Sequence, residues 1–286
     1  MIQSMTGFGK ASLQLPTKKI TVEIKSLNSK GLDLNTRMPS VFREMELGLR
    51  NQISQRLERG KVDFSLYVEV TGEETTSKIN VPIVNGYINQ MKAVIPSADA
   101  TELLKMAVRM PDALKTERDE IDATEWKQIQ TVIDEAMENI ANFRKDEGAS
   151  LEKEFQLRIS NINNLMTEAV SYDAERVETV KTRLRTALEE LKVNVDENRF
   201  EQELIFYLEK YDITEEKVRL GNHLNYFIET LNGTEANGRK LGFITQEMGR
   251  EINTMGSKSN HTEMQKLVVM MKDELEKIKE QVLNVL

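Results

Sequence analysis

The hydrophobic periodicity of the chain changes once along its length, and this change decides which folds are open to it. Over the first seventy residues apolar and polar residues roughly alternate, whereas from about Thr101 onward Glu, Lys, Leu and Met dominate. Alternation is typical of a half-buried strand, and the second group of residues loses little rotamer freedom in a helix. The sequence therefore predicts an α+β fold: an N-terminal antiparallel sheet with a packed helix, followed by a long, mostly helical middle and C-terminal region.

The predicted sheet contains four strands, and a helix lies between the third and the fourth. The strands cover residues 8–15, 19–26, 31–38 and 61–70, and the helix covers 40–57. Residues 71–100 are rich in Thr, Asn and Pro, which predicts a loop with a short helix. We interpret the chain as an N-terminal α+β domain (1–155), a charged helical connector (156–196) and a C-terminal helical domain (197–286).

Two apolar stripes characterise the predicted helices. The first is thin, which predicts helices that project or pair rather than form a deep core; it comprises Leu151, Phe155, Ile162, Met166, Val170, Val177, Leu184, Leu188 and Leu191. The second has a strict 4-3-4-3-4-3 spacing at Met264, Val268, Met271, Leu275, Ile278, Val282 and Val285. Such a continuous seam requires a partner helix, either the preceding helix of the same chain or a second subunit.

Composition excludes several classes of protein and of site. With no cysteine among 286 residues, a disulfide framework, a thiolate zinc site and a cysteine nucleophile are all excluded. No apolar run approaches the ~18 residues of a membrane helix, and the N-terminus lacks a secretory pattern, so we expect a cytoplasmic protein without membrane contacts. The net charge of -8 arises in the middle: residues 1–72 carry +4, residues 238–286 carry +1 and the stretch between them carries -13. Separate basic regions therefore leave a polyanionic partner possible.

The predicted helix over residues 238–255 separates its apolar and polar residues cleanly at 100° per residue. Its buried stripe is Leu241, Ile244, Met248, Ile252 and Met255. One flank carries Lys240, Glu247 and Glu251, and the side opposite the stripe carries Arg239, Gln246 and Arg250. Two carboxylates one turn apart can share a divalent ion or divide acid and base roles. The simpler interpretation is a set of surface ion pairs, each worth a few tenths of a kcal/mol.

Other sequence signals are weaker. His223 lies on a predicted helix that starts near Thr214, and His261 lies in the turn before the last helix. A lone histidine is more often a core or surface residue than a catalyst. The chain has no phosphate-binding loop, dinucleotide fingerprint, zinc-protease motif or serine elbow.

Several longer stretches resemble the YicC/YloC family of endoribonucleases. At the N-terminus these are SMTGFGKA, VEIKSLNSKGLDLNTRMP and RGKVDFSLYVEV; at the C-terminus they are GRKLGFITQEMGREINTMGSKSN and LVVMMKDELEKIKEQVLNV. His223 falls at the histidine of a DI-EE-RL-H pattern. The resemblance implies a metal-assisted endoribonuclease that forms a homo-oligomer, a hexamer, enclosing the RNA.

The resemblance also selects residues. Near the N-terminus it selects Asn28, Arg59 and Lys61; in the C-terminal part it selects His223, Arg239, Lys240, Gln246, Glu247, Arg250, Glu251, Asn253, Ser257, Lys258, Glu274 and Glu280. The chain departs from the family at Gly249, where Asn is usual, at Gly242, where Asp is usual, at Ser29-Lys30, where His-Arg is usual, and at Leu286, where Glu is usual. We do not expect these positions to hold indispensable catalytic groups.

The resulting hypothesis assigns a role to each selected group. Glu247 and Glu251, with Glu280, would hold a Mn or Mg ion, and His223 would transfer a proton. Lys240, Arg250 and Lys258 would offset charge on the phosphoryl oxygens, while Lys25, Arg59 and Lys61 would guide the strand. A metal-free mechanism stays open, in which the RNA 2'-hydroxyl attacks with His223 and a glutamate as acid and base. Two other functions stay open as well: a non-catalytic RNA-binding or chaperone oligomer, and a structural helical scaffold.

Overall fold

Four strands near the N-terminus form one sheet with the order β1-β2-β4-β3. The computed structural model of the chain describes residues 2–71, 78–115, 123–190, 197–233 and 238–286. The strands are β1 (Gly7–Gln14), β2 (Lys18–Leu27), β3 (Leu32–Arg37) and β4 (Gly60–Val70). All four predicted strands are thus confirmed, with shifts of one or two residues at their ends.

The pairing of the third strand differs from the expected antiparallel arrangement. β1 pairs with β2, and β2 with β4, in antiparallel fashion, but β3 runs parallel to β4. A 3₁₀ turn (Ser40–Met45) and helix α1 (Glu46–Arg56) connect β3 to β4. Because this helical connection carries the chain back to the end from which β3 started, β4 runs in the same direction as β3.

One face of the sheet is buried and the other is open. The buried face contributes Ile20, Val22, Ile24, Val62, Phe64 and Leu66 to a core that α1 and the first half of α4 (Ala123–Ser171) complete. Phe42 of the 3₁₀ turn stacks on Trp126 at 5.9 Å between ring centroids. The open face carries polar residues, including Glu23, Lys25, Arg37 and Asp63, around a cavity of about 230 Å³.

A small unit lies between β4 and α4. It consists of β5 (Lys78–Ile79), α2 (Val81–Val94), α3 (Ala100–Ala107) and β6 (Leu114–Lys115), with β5 paired to β6. Val84, Ala107 and Ala113 form its own small core. Within the predicted loop and short helix of residues 71–100, the structure thus has β5, the 14-residue helix α2 and the first residue of α3, while residues 72–77 lie outside the described part of the chain.

Helix α4 is shared by both halves of the molecule. Its 49 residues span about 73 Å at the usual helical rise. After it come α5 (Asp173–Glu190), α6 (Glu197–Lys210), α7 (Thr214–Leu231), α8 (Gly238–Lys258) and α9 (Thr262–Val282). The predicted boundary between residues 155 and 156 falls within α4, and the division into three parts stays a prediction.

The second half of α4 enters a deep core with α7, α8 and α9. Leu151, Phe155, Ile162 and Met166 are buried there, so the prediction that these helices project or pair without forming a deep core is wrong for these four positions. A thin stripe does not show burial by itself. Here α9 and α7 cover it from two sides, and these contacts join residues that are distant in the sequence. Val177, Leu184 and Leu188 on α5 are only half-buried, as expected, and Leu191 lies outside the described residues.

The seam of α9 is buried within the chain. All seven of its residues belong to the core shared with α4, α7 and α8. Three glycines of α8 face α9: a Cβ on Gly242 would lie 3.8 Å from Val282, on Gly249 3.4 Å from Leu275 and on Gly256 2.9 Å from Val268. The partner of the seam is therefore the chain's own helices, and the seam does not need a second subunit.

The two ends of the chain meet beside α4. Ser4 and Val285 form an isolated antiparallel bridge, and the Met5 amide donates to the Asn284 carbonyl at 2.7 Å. On the other side, the Ser4 amide donates to the Arg144 carbonyl of α4 at 3.0 Å, and Ile2 enters the C-terminal core. The N-terminal segment thereby connects the helix that carries the sheet to the residues that follow α9. Within the described ranges, no helix is long and apolar enough to cross a membrane.

Candidate functional site

Helix α8 buries the stripe that its sequence predicts. Leu241, Ile244, Met248, Ile252 and Met255 are all buried, and the glycine row beside the stripe faces α9. Gly249 and Gly242 therefore face α9, away from the flank that carries Glu247 and Glu251. The two family departures on α8 thus concern the packing of this helix against α9.

The opposite flank of α8 faces α7, and contacts join the two helices at both ends. The Lys258 ammonium lies 2.7 Å from a carboxylate oxygen of Glu216, which is in the first turn of α7. At the other end, the Lys240 ammonium lies over the Tyr226 ring, 4.7 Å from its centroid. These contacts show that α7 and α8 run antiparallel. We call this junction the α7/α8 edge; it comprises Glu216, His223, Tyr226, Lys240, Glu247, Glu251 and Lys258.

The register of the two helices brings His223 to the level of the two glutamates. Seven residues separate Glu216 from His223 on α7, and seven separate Glu251 from Lys258 on α8. Seven residues are nearly two turns, so each pair shares one side of its helix over about 10 Å. Glu216 and Lys258 are in contact and the helices are antiparallel. We therefore infer that His223 and Glu251 lie at the same level on the facing sides of α7 and α8, nearly two turns from the Glu216–Lys258 contact.

Glu251 is the most unusual group of this edge. Its residue is only 9% exposed, and no hydrogen bond or ion pair is found for it within the described ranges. Its carboxylate oxygens are not among the fully buried side-chain atoms that lack a hydrogen-bond partner, so they keep a contact with solvent. A carboxylate that has no protein partner but is open to solvent can contact a ligand. His223 is half-buried and likewise has no polar partner in the part of the chain that the structure describes.

Glu247 behaves differently from Glu251. Its side chain is 41% exposed and pairs with Arg250 of the next turn at 2.8 Å. This pair fits the simpler interpretation of surface ion pairs, whereas Glu251 and Lys258 do not, since Glu251 is buried and Lys258 pairs across to α7. The two predicted carboxylates are thus on one flank but in different environments.

The remaining predicted groups of α8 form an exposed ridge beside the edge. The ridge comprises Arg239, Gln246, Arg250, Asn253 and Ser257, all of them exposed. The ridge lies opposite the buried stripe, as the sequence predicts. An extended polyanion lying on it would contact arginines and amides on one side and the α7/α8 edge on the other.

Of the three carboxylates predicted to hold a divalent cation, the structure places two on one flank of α8. Glu280 is exposed on α9, and α8 turns its glycine row, not Glu247 and Glu251, toward that helix. The structure therefore does not bring Glu280 to the pair within one chain. In the described part of the molecule, no three His, Asp or Glu side chains lie together in a metal-binding arrangement. Magnesium is often held by one or two carboxylates with water and substrate phosphate, and Glu247 with Glu251 supplies that number.

The N-terminal candidates lie at one end of the sheet rather than at the α7/α8 edge. Lys25 is near the end of β2, Asn28 follows that strand, and Arg59 and Lys61 flank the start of β4. Arg59 donates through Nε to the Ser29 carbonyl at 2.8 Å, and its own carbonyl accepts from Arg144 at 3.2 Å. Lys25, Asn28 and Lys61 are exposed, so a strand could reach all four positions along one end of the sheet.

Sequence reasoning missed Glu216 and Tyr226. Their residue types do not mark them as partners of α8. Two signals did exist for Glu216: it is the second glutamate of the DI-EE-RL-H pattern that ends at His223, and its spacing of seven residues from His223 matches that of Glu251 and Lys258. His261 is a structural residue, as expected: its Nδ1 accepts from the Met264 amide at the start of α9, and its ring stacks on Tyr172.

Glu274 is held between α9 and α4. Its carboxylate accepts from Lys277 at 2.6 Å, Asn161 at 2.9 Å and Arg158 at 3.3 Å, at the wall of a cavity of about 440 Å³. Burial would raise the pKa of Glu274, but these hydrogen bonds outweigh it, and the pKa lies below its ordinary value. The family match at Glu274 thus coincides with a contact that joins two helices.

This lowered pKa predicts a pH-dependent effect of Glu274→Gln. A carboxylate with a depressed folded-state pKa stabilises the protein at neutral pH, and that contribution disappears as the pH falls through the folded pKa. The variant should lose about 1–2 kcal/mol of unfolding free energy at pH 7, and this loss should shrink toward zero at an acid pH below the lowered pKa of Glu274. Urea unfolding at both pH values measures this. Glu276→Gln, whose exposed side chain pairs with Lys279, is the matched control and should have little effect at either pH.

Comparisons with known proteins agree across the whole chain. A family model described as "Endoribonuclease YicC-like, N-terminal region" matches residues 2–153, and one described as "Endoribonuclease YicC-like, C-terminal" matches residues 169–286. A Clostridioides difficile protein named "Probable endoribonuclease YicC" is 32% identical, with all of both chains covered. A Haemophilus influenzae protein of the same name is 30% identical over 99% of each chain.

Proposed function

Because this chain belongs to the YicC-like endoribonuclease family, we propose that it cleaves RNA phosphodiester bonds at the α7/α8 edge. The observation that carries the assignment to this edge is Glu251, a mostly buried residue whose solvent-accessible carboxylate has no protein partner within the described ranges, on the flank of α8 that faces α7. The relatives' printed name supports the reaction class. The location of the site within the chain is our own inference.

The residues of the edge can divide the chemistry of phosphodiester hydrolysis. Glu251 accepts or orients the proton of the attacking group, and His223, on the facing helix, donates a proton to the leaving oxygen. Lys240, Arg250 and Lys258 supply positive charge to the phosphate groups, which become more negative as the attacking oxygen adds. All of these groups lie on two packed helices, so the backbone positions that carry them are set before RNA binds.

A divalent cation, Mn or Mg, is proposed at Glu247 and Glu251. When bound, it would polarise the scissile phosphate and lower the pKa of a water molecule. Glu247 must leave Arg250 to take part, and its exposure allows this movement. Without a cation, the same two helices could still promote attack by the RNA 2'-hydroxyl, with His223 and Glu251 as acid and base.

RNA binding is proposed along two surfaces. Arg239, Gln246, Arg250, Asn253 and Ser257 of the ridge would contact the strand next to the edge, and Lys25, Asn28, Arg59 and Lys61 would contact it at the sheet end. Contacts to phosphates position a strand without reading its sequence, so selectivity should come from RNA shape or unpaired bases.

A homo-oligomer, with six subunits as the family resemblance implies, is proposed to enclose the RNA. Supporting it is an exposed apolar surface on α6, where Ile205 is 54% and Phe206 is 60% exposed. Side chains of this kind are often covered in an assembly. The mass of the protein in solution gives the subunit count directly.

Incubating a labelled RNA strand with the purified protein tests the proposed activity. We expect cleavage that increases with added Mn or Mg and stops in EDTA, leaving fragments with a 5'-phosphate. Cleavage that continues in EDTA and leaves a cyclic or 3'-phosphate would instead support attack by the 2'-hydroxyl. RNA binding with a steep salt dependence but without cleavage would show a binding or chaperone protein. Absence of both would contradict the proposal and leave a structural scaffold.

A further inference from the structure

Glu216 is a buried carboxylate that the proposed chemistry does not use. Its residue is 4% exposed, and one of its oxygens contacts the Lys258 ammonium at 2.7 Å. The other oxygen, Oε2, is buried and has no hydrogen-bond partner among the described residues. A carboxylate in this position is unfavourable unless the lysine stays beside it.

Lys258 has two of its three N–H groups in use. Besides Glu216, its Nζ donates to the backbone carbonyl of Asp212 at 2.8 Å. An ammonium group has three donors, so one N–H is left, and the side chain is 27% exposed. Because both partners lie at the start of α7 and the side chain is partly exposed, the remaining N–H is available to a partner from solvent.

The backbone around Lys258 is held as well. Arg176 of α5, which is buried, donates to the carbonyl of Lys258 at 3.3 Å and also to the carbonyl of Tyr211. The carboxylate of Asp212 accepts from Thr214 at the start of α7, and these hydrogen bonds, with the charges of Lys258 and Arg176, lower the pKa of Asp212. The end of α8 and the start of α7 are thus joined by backbone and side-chain contacts.

From these contacts we infer that Glu216 is a positioning residue, which holds the Lys258 ammonium so that its third N–H is available to a phosphate oxygen of the bound strand. The inference rests on the proposed function. Lys258 lies about 10 Å from Glu251 along α8, so the phosphate it contacts is a neighbour of the one that is cleaved. Fixing a lysine before binding reduces the side-chain entropy lost when the strand arrives.

The test compares Glu216→Gln, Lys258→Gln and the double variant in RNA binding. The probe is a labelled 2'-O-methyl RNA oligonucleotide in EDTA, which neither proposed mechanism can cleave. One phosphate contact to a single strand changes the slope of log affinity against log salt concentration by about 0.7. Losing that contact therefore lowers RNA affinity about fourfold near 0.15 M salt. Both single variants should lose about this much, and the double variant should lose no more than Lys258→Gln alone.

Glu215→Gln is the matched control. Glu215 is in the same turn of α7 but is exposed and pairs with Arg219, so its loss should leave RNA affinity within about twofold of wild type. If Glu216→Gln instead binds RNA as tightly as wild type or more tightly, the inference is overturned, because the carboxylate would then only oppose the polyanion.

Competitive acetylation read by peptide mass spectrometry supplies a measurement that needs no activity. Lys258 should react several-fold more slowly than the exposed Lys266, Glu216→Gln should remove this difference, and the oligonucleotide should protect Lys258 in the wild type. If the wild type binds no RNA, the proposed function fails together with the phosphate contact. If RNA binds but does not protect Lys258, only the inference fails.

The double variant leaves no buried unpaired charge, so it should fold even if a single variant does not.

Discussion

Replacing Glu251 with glutamine should reduce RNA cleavage at least a hundredfold and leave the protein as stable as before or more stable. The change keeps the shape of the side chain and removes its charge. A group that moves or orients a proton, or that holds a cation, typically contributes between a hundredfold and ten-thousandfold to the rate. Stability should not fall, because the Glu251 carboxylate has no hydrogen bond or ion pair within the described ranges, so the change removes no protein contact.

Three measurements check this prediction: the single-turnover cleavage rate, RNA affinity and the midpoint of thermal unfolding. RNA affinity should stay within about threefold, since a carboxylate does not attract phosphate. Glu263→Gln is the matched control, because Glu263 is exposed on α9 and pairs with Lys266, and it should cleave at the wild-type rate. A Glu251→Gln protein that cleaves normally, or that unfolds at a much lower temperature, would show that Glu251 is a structural residue.

Measuring the single-turnover cleavage rate of Glu247→Gln distinguishes the role of Glu247 from that of Glu251. Glu247 is exposed and paired with Arg250, so its loss matters only if it joins Glu251 at a cation or in proton transfer. An unchanged rate in both glutamine variants would place the site elsewhere in the chain.

Replacing Gly148 with alanine should destabilise the protein by about 2–4 kcal/mol, although alanine is the better helix former. Gly148 is on the side of α4 where the N-terminal segment crosses it. A Cβ there would overlap the carbonyl oxygen of Ile2 and lie 2.9 Å from its carbonyl carbon. These are backbone atoms, so they cannot rotate away. The segment must shift, which removes Ile2 from the core and disturbs the bridge between Ser4 and Val285.

Urea unfolding followed by circular dichroism measures this loss. Gly48→Ala is the matched control: Gly48 is also inside a helix, α1, but a Cβ there would meet nothing within 4 Å. The control should be neutral or gain up to about 1 kcal/mol from helix propensity. Equal stability of both variants would mean that the N-terminal segment does not pack against α4 in solution.

The parts of the site that lie on one helix could be predicted, and the parts that lie between helices could not. The stripe, flank and ridge of α8 follow from 3.6 residues per turn, a property of the sequence alone. The pairing of Lys258 with Glu216 depends on how far α7 and α8 are shifted along each other. That shift is decided by the packing of Leu220, Leu224 and Phe227 against the α8 stripe, which no local pattern records.

Glu280 and the glycines of α8 also show that contacts between helices could not be predicted from the sequence. A carboxylate on the last helix was an acceptable third ligand by sequence, but α8 turns Gly242, Gly249 and Gly256 toward α9, so Glu280 stays apart from the pair. The parallel pairing of β3 with β4 also escaped prediction, because alternation shows that a strand is half-buried without giving its direction.

Patterns within single elements were enough to predict the α+β class, the four N-terminal strands, the amphipathic face of α8 and the seam of α9, because each arises from a repeat along one helix or strand. Packing between distant elements was needed to show that α4 belongs to both cores, that the seam of α9 is buried inside the chain, and that Glu216 holds Lys258 while Glu251 has no partner within the described ranges. Burial and pairing are properties of contacts between distant residues, and such contacts exist only once helices and strands have packed.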